Sequence, residues 1–266
     1  MDRSAAGKIR SQEMRGLQIV TVLAGVVAAS LGSPLAGWTP DSPVNADELG
    51  PFNGSDMEGP LPPFKNGLVD EKYRWPDATV IYKIAGDFTD DELATIQTAM
   101  NNFYDLTNGC INFKEHTIED DYVKITNDDS GCHSSVGRKG GQQSMNLESP
   151  NCLKKIGTVE HEMLHTLGFH HEQSRFDRDE YVTIMWENIS SGHEHNFATY
   201  PEDVATGFGE PYDYGSVLHY SSRAFSSNGE DTIVPADPTA EIGQRVAPSE
   251  IDVAKLMKMY KCGEKK

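Results

Sequence analysis

Between residues 161 and 171 the chain reads His161-Glu162-Met163-Leu164-His165-Thr166-Leu167-Gly168-Phe169-His170-His171, and no other stretch constrains its fold as tightly. Histidines four apart stack on one face of an α-helix, about 6 Å apart along its axis, where a single metal ion takes both imidazoles. Gly168 accepts left-handed backbone angles without strain, so the helix stops there and the chain turns back, bringing His171 under the metal as a third ligand. His170 falls one residue short of that spacing and reads as a surface or cleft histidine. Glu162 is too short in reach to be a ligand but is placed to take a proton from water at the metal. A lone His-Glu-x-x-His is a common accident of amphipathic helices. With Gly168 and His171 at fixed offsets, the pattern specifies one zinc ion held by His161, His165 and His171.

The N-terminus places this chemistry outside the cell. Arg3, Lys8, Arg10 and Arg15 precede an apolar run over residues 17–31 and small residues over 32–37, which reads as a secretory signal peptide spanning residues 1–37, with an approximate cleavage point. The run is shorter than a membrane span needs, so no span is expected in the mature form. Four cysteines, Cys110, Cys132, Cys152 and Cys262, make two disulfides in an oxidising compartment, in any of three pairings. Residues 38–65 are rich in Pro, Gly, Asp and Ser and read as a short extended pro-segment or linker. Residues 66–266 then form one catalytic domain, expected to act as a monomer; the whole chain of 266 residues is 37% hydrophobic, enough for a core. A net charge of −18 with no basic patch excludes nucleic acid as a partner. Asn53-Gly54-Ser55 and Asn188-Ile189-Ser190 fit the N-glycosylation sequon of an exported chain.

Regular elements frame the motif. Thr79–Ile84 reads as a strand, and Thr89-Asp90-Asp91-Glu92 is a capping box opening a helix with Leu93, Ile96, Met100, Phe103 and Tyr104 at helical spacing. Asn108-Gly109 ends it. Short strands follow at 111–113, 122–125 and 143–147, with a Gly-rich turn over 137–141. Periodicity is sparse beyond Asp179 until Ser249-Glu250-Ile251-Asp252 caps a last helix carrying Val253, Leu256, Met257 and Tyr260.

Residues 161–179, HEMLHTLGFHHEQSRFDRD, continued by YVTIMWENI over 181–189, resemble the signature of the astacin family of zinc endopeptidases, in the metzincin clan. The likeness runs over residues 66–262. It implies an α+β, metzincin-like fold: a twisted, mostly parallel sheet with two long helices in the N-terminal half, a loop-rich C-terminal half with a C-terminal helix, and an active-site cleft between. It also implies the pairings Cys110–Cys262 and Cys132–Cys152, and an edge strand at 143–147 on which an extended peptide is laid by backbone hydrogen bonds. Gly215-Ser216-Val217-Leu218-His219-Tyr220 resembles the family's Met-turn, with Leu218 replacing a methionine that serves as a hydrophobic floor; the swap nearly conserves volume.

Further roles follow from the same likeness. Tyr220 donates a hydrogen bond to the oxyanion that develops on the scissile carbonyl. Phe52-Asn53-Gly54-Ser55-Asp56 is similar to the pro-segment pattern Phe-x-Gly-Asp, whose Asp occupies the zinc; one residue intervenes here before Asp56. The stretch after Lys65 is similar to the mature N-terminus, so Lys65 suits a trypsin-like activating protease, and the freed amino group of Asn66 pairs with Glu172. The expected protein is a secreted zinc-dependent endopeptidase made as a zymogen, acting on protein or peptide substrates. In it Glu162 takes the proton of an acidified water and returns it to the leaving amine. The alternative is a catalytically impaired secreted zinc-binding protein that acts by binding other proteins. Leu218 and the irregular pro-segment motif favour that alternative, and the intact Glu162 and ligand set oppose it.

Overall fold

Strand β1, Met57–Glu58, is two residues long, yet it lies on the edge of the main sheet. In the computed structural model, which describes residues 33–52, 55–58, 70–201 and 206–263, the other strands of that sheet are β2 (Thr79–Ile84), β3 (Asn112–Glu115), β4 (Tyr122–Thr126), β5 (Cys132–Ser135) and β6 (Gln142–Leu147). Their spatial order is β1-β5-β6-β4-β2-β3, and every pair is parallel except β5 with β6. Alternation drives the burial: Val123 and Ile125 on β4 and Met145 and Leu147 on β6 are 1% exposed or less, while their neighbours Lys124 and Ser144 stay half-buried.

Helix α1, Asp90–Leu106, starts at a complete capping box between Thr89 and Glu92 and buries Ile96, Ala99, Met100 and Phe103. Helix α2, Ile156–Leu167, is buried on every side from Gly157 onward, because α1 packs on it from one direction and β5 from another. Beyond it the chain is mostly loops around a small antiparallel pair, β7 (Val182–Ile184) with β8 (Ile233–Pro235), and a second apolar cluster that includes Phe197 and Tyr220. Helix α3, Glu250–Met259, closes the chain on a second capping box, Ser249 with Asp252. Disulfides join Cys110 to Cys262 and Cys132 to Cys152, each with Cα atoms 5.7 Å apart. The longer closure ties the end of α3 to the turn after α1. The α+β layout of a mostly parallel sheet and two long helices, followed by a loop-rich half, is the one expected. Among the described residues no helix is long and apolar enough to cross a membrane.

One expectation is corrected. The strand near 143–147 is not an edge: β6 sits between β5 and β4, and β5 holds the cleft side with β1 laid along it. Cys132-His133-Ser134-Ser135 has no apolar alternation to betray a strand, whereas Met145 and Leu147 mark one with neighbours on both sides. Residues 33–37, read as the end of the leader, are packed into the fold. Leu35 is 1% exposed within the main core beside Trp38, and Ser33 Oγ donates to the Glu148 carboxylate. The rest of that leader, together with Asn53 and Asn66, lies outside the described residues.

Candidate active site

Helix α2 carries His161 and His165 on one face, and Gly168 ends it at φ +112°, donating its N–H to the carbonyls of Leu164 and His165. The left-handed residue reverses the chain within three positions and delivers His171 to the same point. The imidazole orientations are set from behind. His161 Nδ1 lies 2.8 Å from the Val217 carbonyl and His165 Nδ1 2.7 Å from that of Phe169. A carbonyl only accepts, so both Nδ1 atoms carry the hydrogen and both Nε2 atoms present lone pairs inward.

Those lone pairs converge. Nε2 of His161 stands 3.0 Å from Nε2 of His165 and 3.3 Å from Nε2 of His171. Two bare imidazole lone pairs repel at such a separation unless a cation lies between them. Asp56 supplies a fourth donor: its Oδ2 is 2.9, 3.5 and 3.1 Å from Nε2 of His161, His165 and His171, and all four ligand atoms lie within 4.8 Å of one another. Three imidazole nitrogens and one carboxylate oxygen, all buried, suit tetrahedral zinc. Burial draws His171 down to about 4 and also lowers His161, which favours the neutral ring a metal requires.

Glu162 is fully buried, and neither carboxylate oxygen has a hydrogen-bond partner among the described residues. Burial pushes its carboxyl well above the usual carboxylate range, the negative charges of Asp56 and Asp47 push the same way, and the Arg245 guanidinium opposes them. Such a group binds a proton readily, as a general base must. Tyr220 packs its ring 4.5 Å from that of His171. Burial, with the charges of Asp56 and Glu48, holds its phenol well above the usual range, so it stays a hydrogen-bond donor; its bond with Ser55 opposes that shift.

The segment before the catalytic half covers these groups. Arg245 Nη2 reaches Asp47 Oδ2 at 2.6 Å with both groups buried, and Glu48 accepts from the backbone N–H of Ser221 at 2.6 Å. Residues 67–261 match the family model for Astacin, a family of peptidases. The chain belongs to the astacin family. It is 44% identical over 201 residues to meprin A subunit beta of Homo sapiens, covering 74% of this chain and 28% of that protein. Zinc metalloproteinase nas-14 of Caenorhabditis elegans is 43% identical over 192 residues, covering 71% of this chain and 38% of the relative. The chain thus spans well under half the length of these two relatives. Among solved structures, high choriolytic enzyme 1, a hatching enzyme zinc-protease from Oryzias latipes, matches with a TM-score of 0.67 at 36% identity, over 74% of this chain and 100% of that one. Astacins are zinc metallopeptidases, and the donor set found here suits one zinc ion.

In this astacin Leu218 is 3% exposed, and its carbonyl accepts from the Glu172 N–H at 3.1 Å, so the 217–218 turn is pinned beneath the imidazoles. Leu218→Met is expected to shift unfolding free energy by less than about 1.5 kcal/mol and to leave peptide turnover within a few-fold. Denaturant titration and an initial-rate assay check this, and a gain of orders of magnitude would contradict it. Glu172 is buried between two cations, Lys255 Nζ 2.7 Å from one oxygen and Arg175 Nη1 3.1 Å from the other. Of the two readings of His170, surface or cleft, its place against Met57 of β1 fits the second. It is fully buried, 3.1 Å from Met57 Sδ, with its ring 5.2 Å from that of Tyr200. Asn188 of the second sequon donates its amide to the Asp231 carbonyl at 2.7 Å.

Sequence reasoning missed Asp252, Arg245 and Asp47. Asp252 caps α3 and also accepts from Val217 N–H at 2.9 Å and Ser216 Oγ at 2.6 Å, fixing the carbonyl that orients His161. The capping box shows in the sequence, but its second duty does not.

Proposed function

We propose that the chain is the precursor of a secreted endopeptidase in which His161, His165 and His171 hold zinc, Glu162 is the general base and acid, and Tyr220 stabilises the oxyanion. The observation that carries this reading is three converging Nε2 atoms with, one residue along the same helix, a carboxylate that has no hydrogen-bond partner among the described residues. Zinc, when bound, supplies Lewis acidity that acidifies water and polarises a carbonyl. A substrate strand pairs along β5 by backbone hydrogen bonds, which brings its carbonyl carbon to the water. Glu162 draws the proton from the water as its oxygen attacks that carbon, and then passes the proton to the nitrogen of the departing amine. The Tyr220 hydroxyl donates to the carbonyl oxygen as negative charge gathers there.

Latency follows from the covering segment. Asp56 fills the position a water needs, β1 occupies the β5 edge, and Asp47 and Glu48 anchor the segment on Arg245 and Ser221. A trypsin-like protease acting after Lys65 releases it, and the new amino group of Asn66 joins the buried Glu172. We place the end of the leader before Ser33, since Leu35 and Trp38 are core residues. Export accounts for both disulfides and leaves Asn53 and Asn188 open to glycosylation. The mature protein acts as a monomer on protein or peptide substrates.

Casein hydrolysis by the purified precursor tests this. Activity is expected only after limited trypsin treatment, is abolished by a zinc chelator, and returns with added zinc. A trypsin-treated, zinc-loaded chain that cleaves neither casein nor gelatin would leave a zinc-binding protein without turnover.

A further inference from the structure

One polar cluster near the cleft has no part in the zinc chemistry. Glu58, on β1, lies in register with Ser135 of β5, and its carboxylate is held by three side chains. His133 Nδ1 is 2.9 Å from Oε1, Ser135 Oγ donates to Oε2 at 3.4 Å, and Ser144 Oγ of β6 makes a still closer contact to Oε2. Lys139 Nζ completes the rim at 2.6 Å from the Glu58 carbonyl. Ser134, between His133 and Ser135, turns the other way to bond Thr166 of α2 at 2.8 Å, so the cluster occupies the sheet face opposite that helix. With the covering segment in place His133 and Ser135 are 4% and 3% exposed, beneath Glu58 and, for His133, the Phe52 ring at 4.5 Å.

We propose that this recess is a substrate subsite for an acidic side chain on the N-terminal side of the cleaved bond, with Glu58 as its intramolecular stand-in. The proposal rests on the peptidase reading above. Its placement comes from strand direction. β1 runs parallel to β5, from Asp56 among the imidazoles outward to Glu58. A substrate laid antiparallel on β5 therefore passes the place of Glu58 before it reaches the imidazoles. Period-two alternation then turns one of its side chains over His133, Ser135 and Ser144.

The chemistry selects a carboxylate. Two hydroxyls and an imidazole have hydrogens to donate there, and a carboxylate accepts from all three, while the Lys139 ammonium donates to the backbone carbonyl beside it. An amide of the same shape turns its NH2 toward at least one donor. Burial by itself would raise the Glu58 carboxyl, yet His133, Ser144 and Lys139 outweigh it and hold that group below the usual range. Departure of the pro-segment leaves these donors without their acceptor beside an open strand edge, where an acidic substrate restores it.

The test uses trypsin-activated, zinc-loaded enzyme and peptide pairs that differ only by Glu or Gln at one position upstream of the cleaved bond. At one such position kcat/KM for Glu is expected to exceed that for Gln by roughly tenfold. In Ser144→Ala, and in His133→Ala where it folds, the ratio falls toward unity because the Glu peptide loses more of its rate than the Gln peptide does. A merely structural role would lower both rates together. Cleavage with no Glu preference at any upstream position, or a preference that survives Ser144→Ala, overturns the subsite and leaves the peptidase intact. Absence of all cleavage overturns the peptidase reading and the subsite with it.

Discussion

Glu162→Gln is expected to fold, to keep its zinc and to lose peptide cleavage by about 10²- to 10⁴-fold. The substitution nearly conserves volume, so the packing around α2 is retained. It also relieves a carboxyl that burial and the charges of Asp56 and Asp47 disfavour in ionised form, so the variant is expected to be no less stable than the parent. What it removes is the only group placed one residue from a histidine ligand with both oxygens unpartnered among the described residues. An amide can neither take a proton from water nor return one to an amine. Activated variant and parent are compared by initial rates on one peptide, with zinc content and thermal unfolding measured on the same samples. Comparable rates at equal zinc would show that another group moves the proton.

Asp56→Ala acts in the opposite direction. In the precursor this carboxylate is fully buried and faces all three imidazoles, whose proximity holds it well below the usual range against the pull of burial. Removing one partner from a buried charged cluster costs about 3–5 kcal/mol, which weakens the grip of the segment by about 10²- to 10⁴-fold. The contacts of Asp47 with Arg245 and of β1 with β5 persist, so the segment detaches only part of the time. The uncut variant is therefore expected to hydrolyse casein slowly with no protease added, while the uncut parent shows none. After trypsin treatment both are expected to reach the same rate, since the altered residue leaves with the segment. An uncut variant as silent as the parent would mean that Asp47 and β1 suffice to close the site.

The parts of this molecule legible in its sequence are those whose causes are local. The Thr89 and Ser249 capping boxes, the apolar spacing of α1 and the left-handed stop at Gly168 each act within a few residues, and each marks its element near the right place. The ligand triad is legible for the same reason, since one bent segment carries all of it. Contacts between distant segments leave no such trace. Asp47 meets Arg245 across 198 positions and Glu48 meets Ser221 across 173, and neither acidic residue differs in its sequence surroundings from the solvated carboxylates of this acidic chain. β5 escapes notice because Cys132-His133-Ser134-Ser135 is buried by its partners and not by apolar character. β1 exists only because β5 offers it an edge. Residues 33–37 look like the tail of a leader, since burial of Leu35 depends on a core formed mostly from residues far along the chain.

Metal analysis of the purified, disulfide-bonded precursor tests the central claim most directly. One zinc per chain is expected in the parent, with loss of that zinc in His161→Ala and His165→Ala proteins that retain both disulfides. A folded, correctly oxidised parent that binds no divalent ion, or a variant that holds zinc as tightly as the parent, would contradict it.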